Sequence, residues 1–176
     1  MDTKAIRLVL FDVDGVLTDG TLYIGPEGEV FKAFNAKDGV AISLLKKHGI
    51  EVGIISGKAS KALDFRIKQL GIDHAITGCS DKLSALYSLI TKTKCTLDQI
   101  AFVGDDIIDI AVMKKVALSI APVDAHPLAI NAAHYISVAK GGKGVARESA
   151  EYILKNAGLS LEDMYADMVG QYDISQ

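Results

Sequence analysis

Short apolar runs punctuate this chain, each stopping abruptly at small or acidic residues. Ile6-Arg7-Leu8-Val9-Leu10-Phe11 ends at Asp12, with Gly15 close behind. That is the pattern of a strand buried on both faces, delivering polar groups at its carboxyl end. Val52-Gly53-Ile54-Ile55, Ile100-Ala101-Phe102-Val103 and Ala117-Leu118-Ser119-Ile120 repeat it and predict further parallel strands. Between these runs, apolar residues recur at helical spacing: Val40, Leu44 and Leu45 before Gly49; Ala62, Phe65 and Leu70 before Gly71; Leu83, Leu86, Leu89 and Ile90 after Asp81. A last helix is expected over 145–156. Strands alternating with helices predict an α/β fold, a three-layer doubly wound (Rossmann-like) parallel sheet.

One stretch breaks the alternation. Thr21-Leu22-Tyr23-Ile24 and Val30-Phe31-Lys32-Ala33-Phe34 are β-prone and flank the turn-rich Gly25-Pro26-Glu27-Gly28-Glu29. A β-hairpin projecting from the first strand, over about 20–35, is the expectation. The tail, 158–176, is mixed in character and is expected to be mobile or docked on a neighbour.

Composition narrows the function. At 176 residues, with 49% hydrophobic and 23% charged side chains, the chain suits one sizeable core, hence one domain spanning 1–176. A net charge of -3 without a long basic run excludes the electrostatic footprint of a nucleic-acid binder. The first residues lack the pattern of a secretory signal, and no apolar segment is long enough to span a bilayer, so a cytoplasmic protein with no membrane partner is expected. Cys79 and Cys95 are far apart and favour neither a disulfide nor a thiolate metal site. A small polar ligand remains.

The chemistry lies after the strands. Asp12, Asp14 and Asp19 follow the first, and Asp105, Asp106 and Asp109 follow the 100–103 run. Each like-charged pair about 4 Å apart costs about 4 kcal/mol at an effective dielectric near 20. A cation is the natural compensation, and all-oxygen donors suit Mg²⁺ better than zinc. Ser56, after the 52–55 run, and Lys82, at a helix start, supply a hydroxyl and an ammonium for a phosphoryl group. In that setting Asp12 suits a nucleophile forming a phosphoaspartate, and Asp14 the acid/base.

Asp12-Val13-Asp14-Gly15-Val16-Leu17-Thr18-Asp19-Gly20 closely resembles the nucleophile motif of haloacid dehalogenase-like phosphatases. Ser56-Gly57, Lys82 and Gly104-Asp105-Asp106-Ile107-Ile108-Asp109 resemble the remaining motifs, in the family's order. Within that superfamily the chain lacks a cap-sized insertion and resembles the capless 3-deoxy-D-manno-octulosonate 8-phosphate phosphatases. The stretches that carry this are Asn35-Ala36-Lys37-Asp38-Gly39 and Gly141-Gly142-Lys143-Gly144, running on to Arg147-Glu148. The resemblance implies a sugar-acid phosphate substrate, lipopolysaccharide precursor synthesis and a homotetramer in which hairpin and tail help close a neighbour's site. It implies Mg²⁺ held by Asp12 and Asp105 through side chains and by Asp14 through its carbonyl, with Asp109 in support. It further implies that Asp14, Asn35, Lys37, Asp38, Gly39, Lys58, Arg66 and Lys82 bind substrate. Lys58 departs from the pattern, since these enzymes typically carry Arg there, and a lysine cannot form the planar bidentate fork. A phosphatase of a nine-carbon 2-keto sugar acid 9-phosphate is the nearest rival.

Plainer roles compete for several residues. Ser56 also suits a helix N-cap before 58–70, and Lys82 alone reads as a solvated surface lysine. Asp19 and Asp106 suit loop amides, and the histidines, sharing no spacing, suit surface or core. The glycine-rich 141–144 stretch lacks the spacing of a nucleotide loop, which excludes ATP binding there. A receiver-like signalling module also joins an acidic pocket to a hydroxyl and a lysine, but places its phosphoacceptor on a later strand. An inactive regulatory subunit would not need Asp14.

Overall fold

The computed structural model describes residues 6–72 and 74–169. Its main sheet has six parallel strands: β1 (Leu8–Phe11), β4 (Glu51–Ile55), β5 (His74–Ile76), β6 (Ile100–Val103), β7 (Leu118–Ala121) and β8 (Tyr135–Ile136), in the order β5-β4-β1-β6-β7-β8. β2 (Tyr23–Gly25) and β3 (Gly28–Phe31) form the separate hairpin, with the Tyr23 and Phe31 rings stacked 4.2 Å apart. The hairpin is the insertion between β1 and the first helix, and the described residues form no cap domain.

Alternation along β1 explains the layers. Val9 and Phe11 face one core with residues of α1 (Ala36–Lys47), α2 (Lys61–Leu70) and α6 (Val145–Asn156). Leu8 and Leu10 face the other, with α3 (Lys82–Thr93), α4 (Ile110–Met113) and α5 (Pro127–Ala132). All of β1 is fully buried, and each such large apolar side chain contributes about 1.5–3 kcal/mol by leaving water. Helix ends follow local chemistry. Asp81 caps α3 by accepting from the Leu83 and Ser84 amides, and α2 stops at left-handed Gly71.

Three expectations change. Ser56 does not cap α2; Ser60 does, accepting from the Leu63 amide at 3.3 Å, because α2 begins only at Lys61. Phe65 is 70% exposed and lies outside the core. The tail carries a helix, α7 (Leu161–Val169), against its own chain: Met164 is buried, the Tyr165 hydroxyl donates to Glu151 at 2.7 Å, and the Arg147 guanidinium lies 4.5 Å from the Tyr165 ring centroid. The rest of the tail, 170–176, lies outside the described residues. None of the described helices is long and apolar enough to cross a membrane.

β1 is flanked by β4 on one side and β6 on the other. The chain builds outward to β5, then crosses back to β6. Such a reversal opens a crevice at the carboxyl ends of the strands, where open α/β sheets bind ligands.

Candidate active site

Asp12 extends the β1–β6 ladder by one step, its amide donating to the Val103 carbonyl at 2.9 Å. The carboxylate is buried and meets Lys82, the first residue of α3. Lys82 Nζ lies 2.8 Å from Asp12 Oδ1 and 2.7 Å from Asp109 Oδ1. The second Asp109 oxygen accepts from the amides of Asp105 and Asp106 at 3.0 and 3.2 Å. Asp109 is thus fully engaged in holding Lys82 and the loop, whereas the buried Asp105 Oδ1 has no hydrogen-bond partner among the described residues.

Packing is tightest at Gly15. Its φ is +95°, and a Cβ there would lie 2.0 Å from Asp105 Oδ2, so only glycine lets this loop cross the carboxylate. Gly104 is constrained in the same way, its added Cβ meeting Asp109 at 2.7 Å.

Charge is concentrated here. Burial, then the charges of Asp12 and Asp109, raises the Asp105 carboxyl above the usual carboxylate range. Burial and Asp109 raise Asp12 too, against the charge and hydrogen bond of Lys82. Burial works to lower the Lys82 ammonium, but the two aspartates outweigh it and the net shift is upward. Carboxylate oxygens of Asp12, Asp105 and Asp109 lie within 4.8 Å of one another. An unpartnered buried oxygen in an all-carboxylate cluster fits a hard divalent cation, which would offset these penalties.

Ser56 follows β4, the other neighbour of β1. It is buried, and its hydroxyl accepts from the Lys58 amide at 3.2 Å. Asp14 is half-buried, and its Oδ1 lies 2.5 Å from Nζ of Lys32, which also pairs with Glu29 at 3.1 Å. The hairpin thus sends a buried ammonium to the loop after β1.

Residues 76–148 match the family model of haloacid dehalogenase-like hydrolases. The chain is 48% identical over 149 residues to the 3-deoxy-D-manno-octulosonate 8-phosphate phosphatase of Yersinia pestis, covering 85% of this chain and 80% of that relative. The chain belongs to this phosphatase family. A Moraxella catarrhalis family structure, solved with magnesium, phosphate and KDO, superposes with a TM-score of 0.85 at 38% identity, covering 88% of this chain and 89% of that one. The cobalt-bound Haemophilus influenzae member gives 0.88 at 36%, covering 90% and 92%.

The remaining residues implied by the family resemblance divide into two groups. Lys37 and Lys58 are exposed, on the first turn of α1 and on the loop after β4. Asn35, Asp38, Gly39 and Arg66 also make contacts between elements of the fold. Asn35 caps α1, its Oδ1 accepting from the Lys37 amide at 2.9 Å, while its Nδ2 donates to the Gly142 carbonyl at 3.2 Å. Asp38 is buried and accepts from the Arg147 amide at 3.3 Å, at the start of α6. Burial pushes it up to about 6, against hydrogen bonds from the Arg147 and Ala146 amides and the charge of Arg66. Gly39 makes room for Arg66 and Leu70, each 3.2 Å from where its Cβ would be. Arg66 donates to Gln69 at 2.8 Å and to the Asn35 carbonyl at 3.3 Å. These bonds tie α1, α2 and α6 together, while the buried Asp38 Oδ2 and Arg66 Nε have no hydrogen-bond partner among the described residues.

Asp19 accepts from the Thr21 amide at 2.9 Å, and Asp106 from the Ile107 amide at 2.7 Å, so both order their loops. Lys32 and His126 escaped the sequence reading. The His126 amide donates to the Asp105 carbonyl at 2.8 Å, and its ring accepts from the Leu128 amide at 3.2 Å. A lysine and a glutamate three apart in a β-prone run were the available signal for Lys32; His126 offered none.

Proposed function

We propose that this chain, acting as one catalytic domain, removes phosphate from 3-deoxy-D-manno-octulosonate 8-phosphate in lipopolysaccharide precursor synthesis, in the cytoplasm. The observation that carries the reading is the buried Asp12–Lys82–Asp109 set beside the unpartnered Asp105 oxygen, in a chain so similar to phosphatases of that name. Asp12 attacks phosphorus and becomes an aspartyl phosphate, while Asp14 gives a proton to the departing sugar alcohol. Asp14 then takes a proton from water, which attacks the phosphoaspartate and frees inorganic phosphate and Asp12. Ser56 and Lys82 hold the phosphoryl oxygens. Asp12, Asp105 and the Asp14 carbonyl would hold Mg²⁺, which supplies charge neutralisation. Lys37 and Lys58 offer cations to the sugar-acid carboxylate.

Phosphate release from eight-carbon and nine-carbon 2-keto sugar acid phosphates, with and without Mg²⁺, tests this. A kcat/KM preference for the eight-carbon ester, abolished by EDTA, is expected. Preference for the nine-carbon 9-phosphate, the nearest rival substrate, would move the substrate and keep the mechanism. No release from either would sink it.

We further propose a homotetramer built through the hairpins. Ile24, Val30, Phe31 and Phe65 are each at least half exposed on the hairpin and α2, and apolar clustering of this kind marks an association surface. Combined Phe31→Asp and Phe65→Asp should give monomers or dimers by analytical ultracentrifugation. A tetramer persisting in that variant would place the interface elsewhere.

A further inference from the structure

The turn at residues 141–144 is pressed against the loop carrying Asp12 and Asp14. The Gly142 amide donates to the Val16 carbonyl at 2.9 Å. A Cβ on Gly141 would stand 2.2 Å from the Gly15 carbonyl oxygen, and one on Gly142 2.6 Å from the Asp19 nitrogen. Gly15 in turn lies on Asp105, where its own added Cβ would be 2.0 Å from Oδ2. With no room for even a Cβ between the turn, Gly15 and Asp105, a displacement of the turn passes directly to Gly15 and from there to the carboxylate cluster.

Two side chains hold this turn from outside. Asp124 Oδ1 accepts from the Gly141 amide at 2.9 Å, and Asn35 Nδ2 donates to the Gly142 carbonyl at 3.2 Å. Asn35 is itself fixed at the start of α1, its Oδ1 accepting from the Lys37 amide at 2.9 Å and its carbonyl from Arg66 Nη2 at 3.3 Å. We propose that Asn35 is a positioning residue for the phosphatase reaction: through Gly142 it fixes the loop bearing Asp12 and Asp14 and the seating of Gly15 on Asp105. It touches no reacting atom. The inference rests on the phosphatase reading above.

Asn35 does two separable things. As a cap it needs only an acceptor, which Asp and Ser also provide; as a tether it needs the amide donor. Asp has no donor there, and Ser is shorter than Asn. Asn35→Asp and Asn35→Ser should therefore keep a Tm close to wild type while kcat for Mg²⁺-dependent hydrolysis of p-nitrophenyl phosphate falls about tenfold or more, because displacements near 1 Å cost up to about 100-fold. KM should change little.

Should the added charge of Asp unfold the protein, Ser decides. An unchanged kcat in a folded variant overturns the proposal, as does a rise in KM alone, which would mean direct substrate contact. A loss of kcat that merely tracks loss of folded protein in both variants overturns it too. If wild type releases no phosphate from this ester or the sugar-acid phosphates, the phosphatase reading itself fails and takes the inference with it.

Discussion

Asp12→Asn should abolish turnover, lowering kcat by about 10⁴-fold or more, the scale on which loss of a covalent nucleophile is felt. The amide is nearly isosteric and its oxygen can still accept from Lys82, now 2.8 Å away. It also removes one negative charge from a cluster in which burial and Asp109 already disfavour ionised Asp12. The melting temperature without magnesium should therefore not fall. Phosphate release checks the first expectation and calorimetry the second. Wild-type turnover in Asp12→Asn would remove Asp12 from the role of nucleophile, whereas lost turnover with lost fold would leave a structural role as the simpler account.

Lys82→Met should have the next largest effect, and on two quantities together. Lys82 is the shared cation of Asp12 and Asp109, at 2.8 and 2.7 Å, and its loss leaves two buried carboxylates without it. Breaking one side of such a pair costs about 3–5 kcal/mol of stability. Losing a donor aimed at developing negative charge costs about 3 kcal/mol in the transition state, roughly 100-fold in kcat. Adding Asp109→Asn separates the two. The amide oxygen can still accept from the Asp105 and Asp106 amides, so stability should partly return while kcat stays low. Full recovery of kcat in the double variant would make Lys82 a purely structural counter-ion.

The elements legible in the sequence were those whose burial is complete. β1, β6 and β7 are buried throughout and β4 nearly so, so unbroken apolar runs announced them. β5 and β8 are short and half-exposed, too brief for any periodicity, and α7 buries Met164 alone. At the site, Asp12, Asp105, Asp109 and Lys82 sit at or just beyond strand ends or at a helix start, where a sequence pattern places a side chain well. Lys32 depends on where the hairpin folds, and its partner Asp14 lies in the loop before it. Asp38 enters the sequence argument only through the family resemblance; the packing of α6 against α1 reveals that one of its carboxylate oxygens faces the Arg147 amide.

β1 lies between β4 and β6, and Leu8 pairs with both Glu51 and Ile100. During synthesis at about 5–20 residues per second, the second partner emerges several seconds after β1. Once β4 has paired, a wholly apolar strand still has one open flank until β6 arrives, a liability for the nascent chain. The same order has a benefit. Asp105 and Asp109 arrive with β6, so mutual repulsion with Asp12 begins only once the sheet around it is closing, and Lys82, made earlier, is already at hand to meet it.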